Sequence, residues 1–390
     1  MKTCPKSVFA LPLAGVLFTA FLAAPASATD VTNARPAHAS SVAERIEPYQ
    51  PRFGRTRPLV AVVGENGGTE LTDFVIPYGV LSRSGAAEVV SVATQPGILK
   101  LRPAVRIQPD LTMDEFDRRH PEGADYVVVP AIDNADNPKL LGWITAQAGK
   151  GATTVSICDG ALVVAKTGLM RGHRATGHWA TQSLRQEKFP DTNWETNIRY
   201  VADGKIVSSA GVSASIPISF ALVEAIAGHA HAAELARQMG VSEWGTQHDS
   251  DSFHFGLRSY AMYGAAIVSG WFGRSETVGV PVSTGIDEIA VALTANVYSR
   301  TYRGMKAWTG SASAEPVRTL GGLTLVPDRV AGAPGGPDRT LPWTQGTPSV
   351  QVLDEVLDRV SKEYGQIAAA SAAYDLEYAR KKTKMAALSE

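Results

Sequence analysis

Between residues 58 and 170 the apolar positions alternate between two spacings. Short β-branched runs read as strands: LVAVVG from Leu59, EVVSVA from Glu88, YVVV after Asp125 and TTVSI ending at Ile157. The run between Asp125 and Pro130 has no polar alternation, as expected for a strand covered on both faces. Helical spacing fills the gaps. One helix is predicted from Leu71 to Gly85, entered through Gly67-Gly68-Thr69-Glu70, and another from Pro138 to Gly149. Strands alternating with helices predict an α/β domain with a doubly wound parallel sheet. Asp203-Gly204 between β-prone flanks signals a hairpin. Helical stretches from Ala210 to Gly228 and from Ala230 to Gly240 close this domain near residue 245.

The pattern returns further along. Gly285-Ile-Asp-Glu-Ile to Val297-Tyr-Ser-Arg-Thr repeats the spacing of Gly68-Thr-Glu-Leu-Thr to Val80-Leu-Ser-Arg-Ser, and each follows a strand-like run. Leu325-Val-Pro-Asp328 echoes Ile107-Gln-Pro-Asp110. Residues 274 to about 330 therefore read as a partial α/β repeat. It has Ala290 where the first copy has Asp73, and no counterpart of Cys158. A Pro- and Gly-rich loop is predicted over 332–348, then a helical tail with the basic end Arg380-Lys-Lys-Thr-Lys384.

Composition narrows the class. With 390 residues and 44% hydrophobic content, the chain can bury a sizeable core. Basic (37) and acidic (38) residues nearly balance, which argues against nucleic acid or an anionic membrane surface as a partner. Residues 1–28 read as a signal peptide: Lys2 and Lys6, an apolar stretch from Val8 to Ala24, then Ala26-Ser27-Ala28. Pro12 and the short apolar length argue against a retained membrane anchor. An exported chain is expected, with residues 29–56 as a linker. Cleavage would remove Cys4 and leave Cys158 as the lone thiol.

Cys158 is the centre of the candidate chemistry. It follows the strand-like Thr154–Ile157 and precedes Asp159, Gly160 and Ala161, which open a helix. A sharp strand-to-helix turn pushes its residue out of the sheet, as in a nucleophile elbow. Helix N–H groups and the helix dipole would lower the thiol pKa from ~8.5. A buried structural cysteine is the alternative.

Three segments together resemble the DJ-1/PfpI family, within the class I glutamine-amidotransferase-like superfamily. SICDGALVVAKTGLMRGHRATGHW resembles its cysteine elbow and distal histidine segment, and TELTDFVIPYGVLSRSG its first helix. RYVADGKIVSSAGVSASI resembles its hairpin and final helix, close to the amidase-like domains of AraC-type regulators. The resemblance covers about residues 57–240, and no helix-turn-helix is visible after 245. It implies a flavodoxin-like α/β sandwich, frequent homodimers, and an elbow cysteine beside an acidic residue of the first helix. Two positions depart from the pattern. Ser156 stands where amidotransferases usually have glycine, and Ala131 replaces a glycine that many members offer to an oxyanion hole.

The resemblance assigns Asp73 to the place beside the thiol. Protonated, it could hydrogen-bond a thiolate and shuttle protons; ionised, it would raise the thiol pKa. Glu70, one turn earlier, is a weaker candidate, also suited to the helix start. His178 is the expected base, or else a loop histidine packed by Trp179. Backbone N–H groups of Asp159 and Ala131 are the expected oxyanion donors. His248, Asp249, Asp251 and His254 form a donor-rich stretch that reads as a polar loop rather than a metal site. No Walker or dinucleotide fingerprint stands out, so neither cofactor nor metal is expected. The reading is a cysteine-dependent enzyme acting on a small carbonyl, amide or nitrile-like molecule. The alternative is a non-catalytic ligand-binding or oxidative-stress-sensing protein.

Overall fold

The structure, a computed structural model, describes residues 44–272, 276–301, 305–343 and 346–379. The expected signal peptide, Cys4, residues 29–43 of the expected linker and the basic end from Arg380 onward lie outside these residues. No helix among the described residues is long and apolar enough to cross a membrane.

The predicted alternation builds a seven-stranded sheet. Its order is Tyr200–Asp203, Ile206–Ser209, Thr153–Ser156, Tyr126–Val129, Leu59–Gly64, Glu88–Ala93, Leu111–Thr112. All neighbours are parallel except the hairpin pair at one edge, where Ala202 faces Val207. Every residue of Leu59–Gly64 and Tyr126–Val129 is buried, as a sheet covered on both faces requires. This is the doubly wound, flavodoxin-like α/β architecture expected from the sequence.

The first helix, Leu71–Ser84, is delimited by its ends. Glu70 caps the N-terminus by accepting the Asp73 N–H at 2.7 Å. Gly85 ends it at φ 66°, a left-handed conformation suited to glycine. Residues 44–56 are not a free linker, because their polar side chains find fixed partners on the domain. Arg52 donates to Gly151 O at 2.6 Å, and Arg55 pairs with Asp125 at 3.0 Å.

A second sheet runs Arg329–Val330, Lys306–Ser311, Thr277–Pro281, Arg339–Thr340, all parallel. This is the order of Leu111–Thr112, Glu88–Ala93, Leu59–Gly64 and Tyr126–Val129 in the first sheet. Equivalent residues make equivalent bonds. Asp110 Oδ2 accepts from Ser91 N–H and Oγ at 2.9 and 2.6 Å, and Asp328 Oδ2 accepts from Thr309 N–H and Oγ1 at 2.9 and 2.8 Å. The copy therefore reaches one strand beyond residue 330, into the predicted loop. That short strand was hidden by its proline- and glycine-rich surroundings. After it come two helices broken at Gly365 (φ 89°), Val352–Tyr364 and Gln366–Asp375. Both pack on the copy's own helix, Glu288–Ser299.

Candidate functional site

The chain leaves strand Thr153–Ser156 in a tight turn. Ile157 N–H donates to Val129 O at 2.9 Å and Cys158 N–H to Ala210 O at 3.1 Å. Cys158 takes φ 57°, a left-handed backbone that costs a non-glycine residue on the order of 1–3 kcal/mol. Helix Gly160–Lys166 starts at once, so the thiol sits at its N-terminal end. A Cβ at Gly160 would lie 2.0 Å from Val129 O, so only glycine permits this closeness of helix to sheet. The elbow is thus a strained turn fastened on both sides.

Asp73 lies in the first turn of the first helix with no solvent exposure. Its Oδ2 accepts the Ala131 N–H at 3.2 Å, and its Oδ1 has no hydrogen-bond partner among the described residues. The Ala131 amide is therefore engaged by Asp73 and is not free to serve an oxyanion. The Asp159 N–H does face the Cys158 sulfur.

Burial pushes the Cys158 thiol well above its ordinary range, and the carboxyl groups of Asp73, Asp159 and Glu70 add to the rise. The sequence expectation of a lowered thiol pKa is overturned here. The helix terminus is outweighed by desolvation and by carboxyl neighbours. Burial, then Glu70, likewise pushes Asp73 well above the usual carboxylate range and favours its protonated form.

His178 closes the third side. One atom each from Cys158, Asp159 and His178 lies within 4.8 Å of the other two, the one such donor group among the described residues. His178 Nδ1 accepts the Ala180 N–H at 3.3 Å, so the neutral ring carries its proton on Nε2. Thr181 Oγ1 holds the Asp159 carboxylate at 2.5 Å. Arg185, 2% exposed, fixes the loop by donating to His178 O at 2.6 Å. Trp179 packs 4.7 Å from Phe255 and 5.2 Å from Tyr374, ring centre to ring centre, and Cys158 keeps only 5% of its surface.

Glu70 is more than a cap. Its Oε1 accepts from Asn296 Nδ2 at 2.7 Å and from Arg300 Nη2 at 3.0 Å, both groups of the second copy. Sequence reasoning missed Asn296, Arg300, Arg185 and Glu377. Glu377 is buried and accepts the Gly211 N–H at 2.6 Å beside His178. The one available signal was that Arg300 repeats Arg83. The donor-rich stretch turns to separate partners. His248 pairs with Glu377 at 2.7 Å, His254 Nδ1 lies 3.0 Å from Asp251 O, and Asp251 accepts from Asn197 at 2.7 Å.

Residues 59–225 match the family described as DJ-1/PfpI. This part of the chain is similar to that family. The domain shares 34% identity over 105 residues with the HTH-type transcriptional regulator CdhR of Pseudomonas aeruginosa, a match covering 27% of this chain and 30% of the regulator. It is 29% identical over 164 residues to the isonitrile hydratase of Pseudomonas putida, covering 40% of this chain and 67% of that protein. The crystal structure of Drosophila melanogaster DJ-1beta aligns with a TM-score of 0.43 at 22% identity, covering 48% of this chain and 99% of that one. The matched residues end before the copy begins.

Proposed function

We propose that this chain is an exported, cysteine-dependent enzyme acting on a small carbonyl, amide or nitrile-like substrate. The observation that carries the reading is the Cys158 backbone at φ 57°, with the buried Asp73 carboxyl acting on the thiol and a ring nitrogen of His178 within 4.8 Å of the sulfur. A strained turn of this kind persists only where its surroundings over-determine it. The similarity to an isonitrile hydratase supports the substrate class, and the residues from Lys2 to Ala28 support export.

In the proposed addition the sulfur forms a bond to the electrophilic carbon and the π bond to oxygen or nitrogen breaks. With a carbonyl, amide or nitrile, Asp73 gives its proton to that heteroatom and takes the proton of the thiol, so no charge is left behind; with an isonitrile the same proton goes to the terminal carbon, which then carries both the sulfur and the hydrogen. The Asp159 N–H and the His178 ring N–H donate to charge that develops on the way. The test replaces Cys158 by Ser and by Ala and assays isonitriles, small amides and reactive aldehydes. Both variants are expected to lose turnover; unchanged turnover would eliminate the reading.

The 5% exposure of Cys158 favours one alternative, a non-catalytic ligand-binding protein. Oxidation sensing is less favoured, because it needs an exposed thiolate of low pKa. Oxidation of Cys158 by peroxide without turnover of any substrate would support the sensing form.

A further inference from the structure

The two copies meet around a pseudo-two-fold axis. Arg83 and Arg300 occupy the same place in the two helices, as do Glu70 and Asp287. Arg83 Nη1 lies 3.0 Å from Asp287 Oδ2, and Arg300 Nη2 lies 3.0 Å from Glu70 Oε1. Each arginine therefore pairs with the N-cap of the opposite copy's helix. The backbone obeys the same rule. Leu325 pairs with Ile107, its own counterpart, and Thr324 pairs with Gln108 while Val326 N–H donates to Arg106 O at 2.8 Å. Such reciprocity is the mark of an isologous interface between identical subunits. The helices cross closely: a Cβ at Gly79 would lie 2.7 Å from Glu288 Oε1.

The chemistry breaks the symmetry. Ala290 stands at the Asp73 position, and the second sheet runs on into helix Val352–Tyr364 where the first leads to the elbow. Among the described residues, only the Arg300 end of the axis holds a thiol. There Asn296 donates to Glu70 Oε1 at 2.7 Å and to Thr72 Oγ1 at 3.0 Å, and Glu70 in turn receives the Asp73 N–H.

We infer that the C-terminal repeat is a built-in partner subunit, and that its Arg300 and Asn296 are positioning residues for the Cys158 site, acting through Glu70. The inference rests on the reading of Cys158 as a nucleophile. It also fills the exposed side of the first helix with the chain's own copy, so a homodimer has no access to that face.

Around the sulfur stand Asp73 and Glu70 from the first helix, Asp159 from the elbow helix, and His178 from its loop. Arg185, and Arg300 at the end of the copy's helix, supply positive charge. Arg300 also faces Asp375 at 3.5 Å, and Arg185 feels Glu377. Removing the Arg300 charge leaves Glu70 and Asp73 side by side without their shared cation.

The test titrates Cys158 in the full chain carrying Cys4→Ser, by thiolate absorbance in the ultraviolet and by iodoacetamide alkylation mapped to Cys158. Arg300→Gln is expected to move the midpoint to higher pH and to slow alkylation at pH 8 several-fold. Arg83→Gln breaks the symmetric pair at the chemically empty end and should leave the midpoint at the wild-type value. Arg300→Lys keeps the charge and should retain most of the wild-type behaviour, which also guards against loss of folding in the glutamine variant. An unmoved midpoint in Arg300→Gln, or an equal shift in Arg83→Gln, overturns the inference. Neither readout needs turnover, so this result is separable from the fate of the enzymatic reading.

Discussion

Ile107 and Leu325 face each other across the antiparallel bridge that joins the two halves, and they are the same position of the repeat. A residue meets its own counterpart only at an axis of two-fold symmetry. The sheet that closes around them contains Leu99–Arg102 and Arg106–Gln108 from one half and Val317–Arg318 and Thr324–Leu325 from the other. The first helix, crossed near this axis by its copy, has nearly all its residues buried.

Removal of the copy should expose that helix. A truncated chain ending near residue 245 is expected to self-associate or aggregate, whereas the full chain stays monomeric through this face. Sedimentation velocity at micromolar concentration checks it, and a soluble monomeric fragment would contradict it. Loss of a large apolar cover leaves a patch that proteins rarely tolerate.

Asp73→Asn should flatten the dependence of stability on pH. The folded state raises the Asp73 pKa, so it binds the proton more tightly than the unfolded chain does. That stability is fully present below the unfolded carboxylate value of ~3.9 and is lost as pH rises from there toward the folded value. The melting temperature of the wild type should therefore fall relative to Asp73→Asn between about pH 4 and neutrality. A parallel pair of melting curves across that range would refute it.

Gly160→Ala should destabilise the fold by about 3 kcal/mol, because the new methyl meets a main-chain carbonyl that cannot swing aside. Urea denaturation measures the loss, and a variant within about 0.5 kcal/mol of wild type would show that the elbow can relax.

Glu70→Ala should cost more than an ordinary cap deletion of ~1 kcal/mol, because it strips Arg300 of its nearest carboxylate. Combining it with Arg300→Met should recover part of the loss. Additive losses in the double variant would argue that the pair is not coupled.

Much of this architecture was legible in the sequence because its signals were local. The apolar run Tyr126–Val129, the Asp203-Gly204 turn and the glycine after the cysteine each reflect nearby packing or backbone geometry. The repeat was legible because Arg83 and Arg300 sit at matching places in matching helices. What the sequence hid were contacts between distant parts. Nothing near Ala131 reveals that its amide is taken by Asp73, and nothing near Cys158 reveals that burial overrides the helix terminus. Asn296 gave no signal, since its counterpart Gly79 serves only to let the helices approach.

In an assembly of two identical chains, any substitution at the axis is written twice, and a change that suits one active site must be borne at the other. Here a single strand of protein carries both sides of that axis, so Ala290 can stand opposite Asp73 and each half can drift alone. One side is thereby free to specialise in chemistry and the other in support.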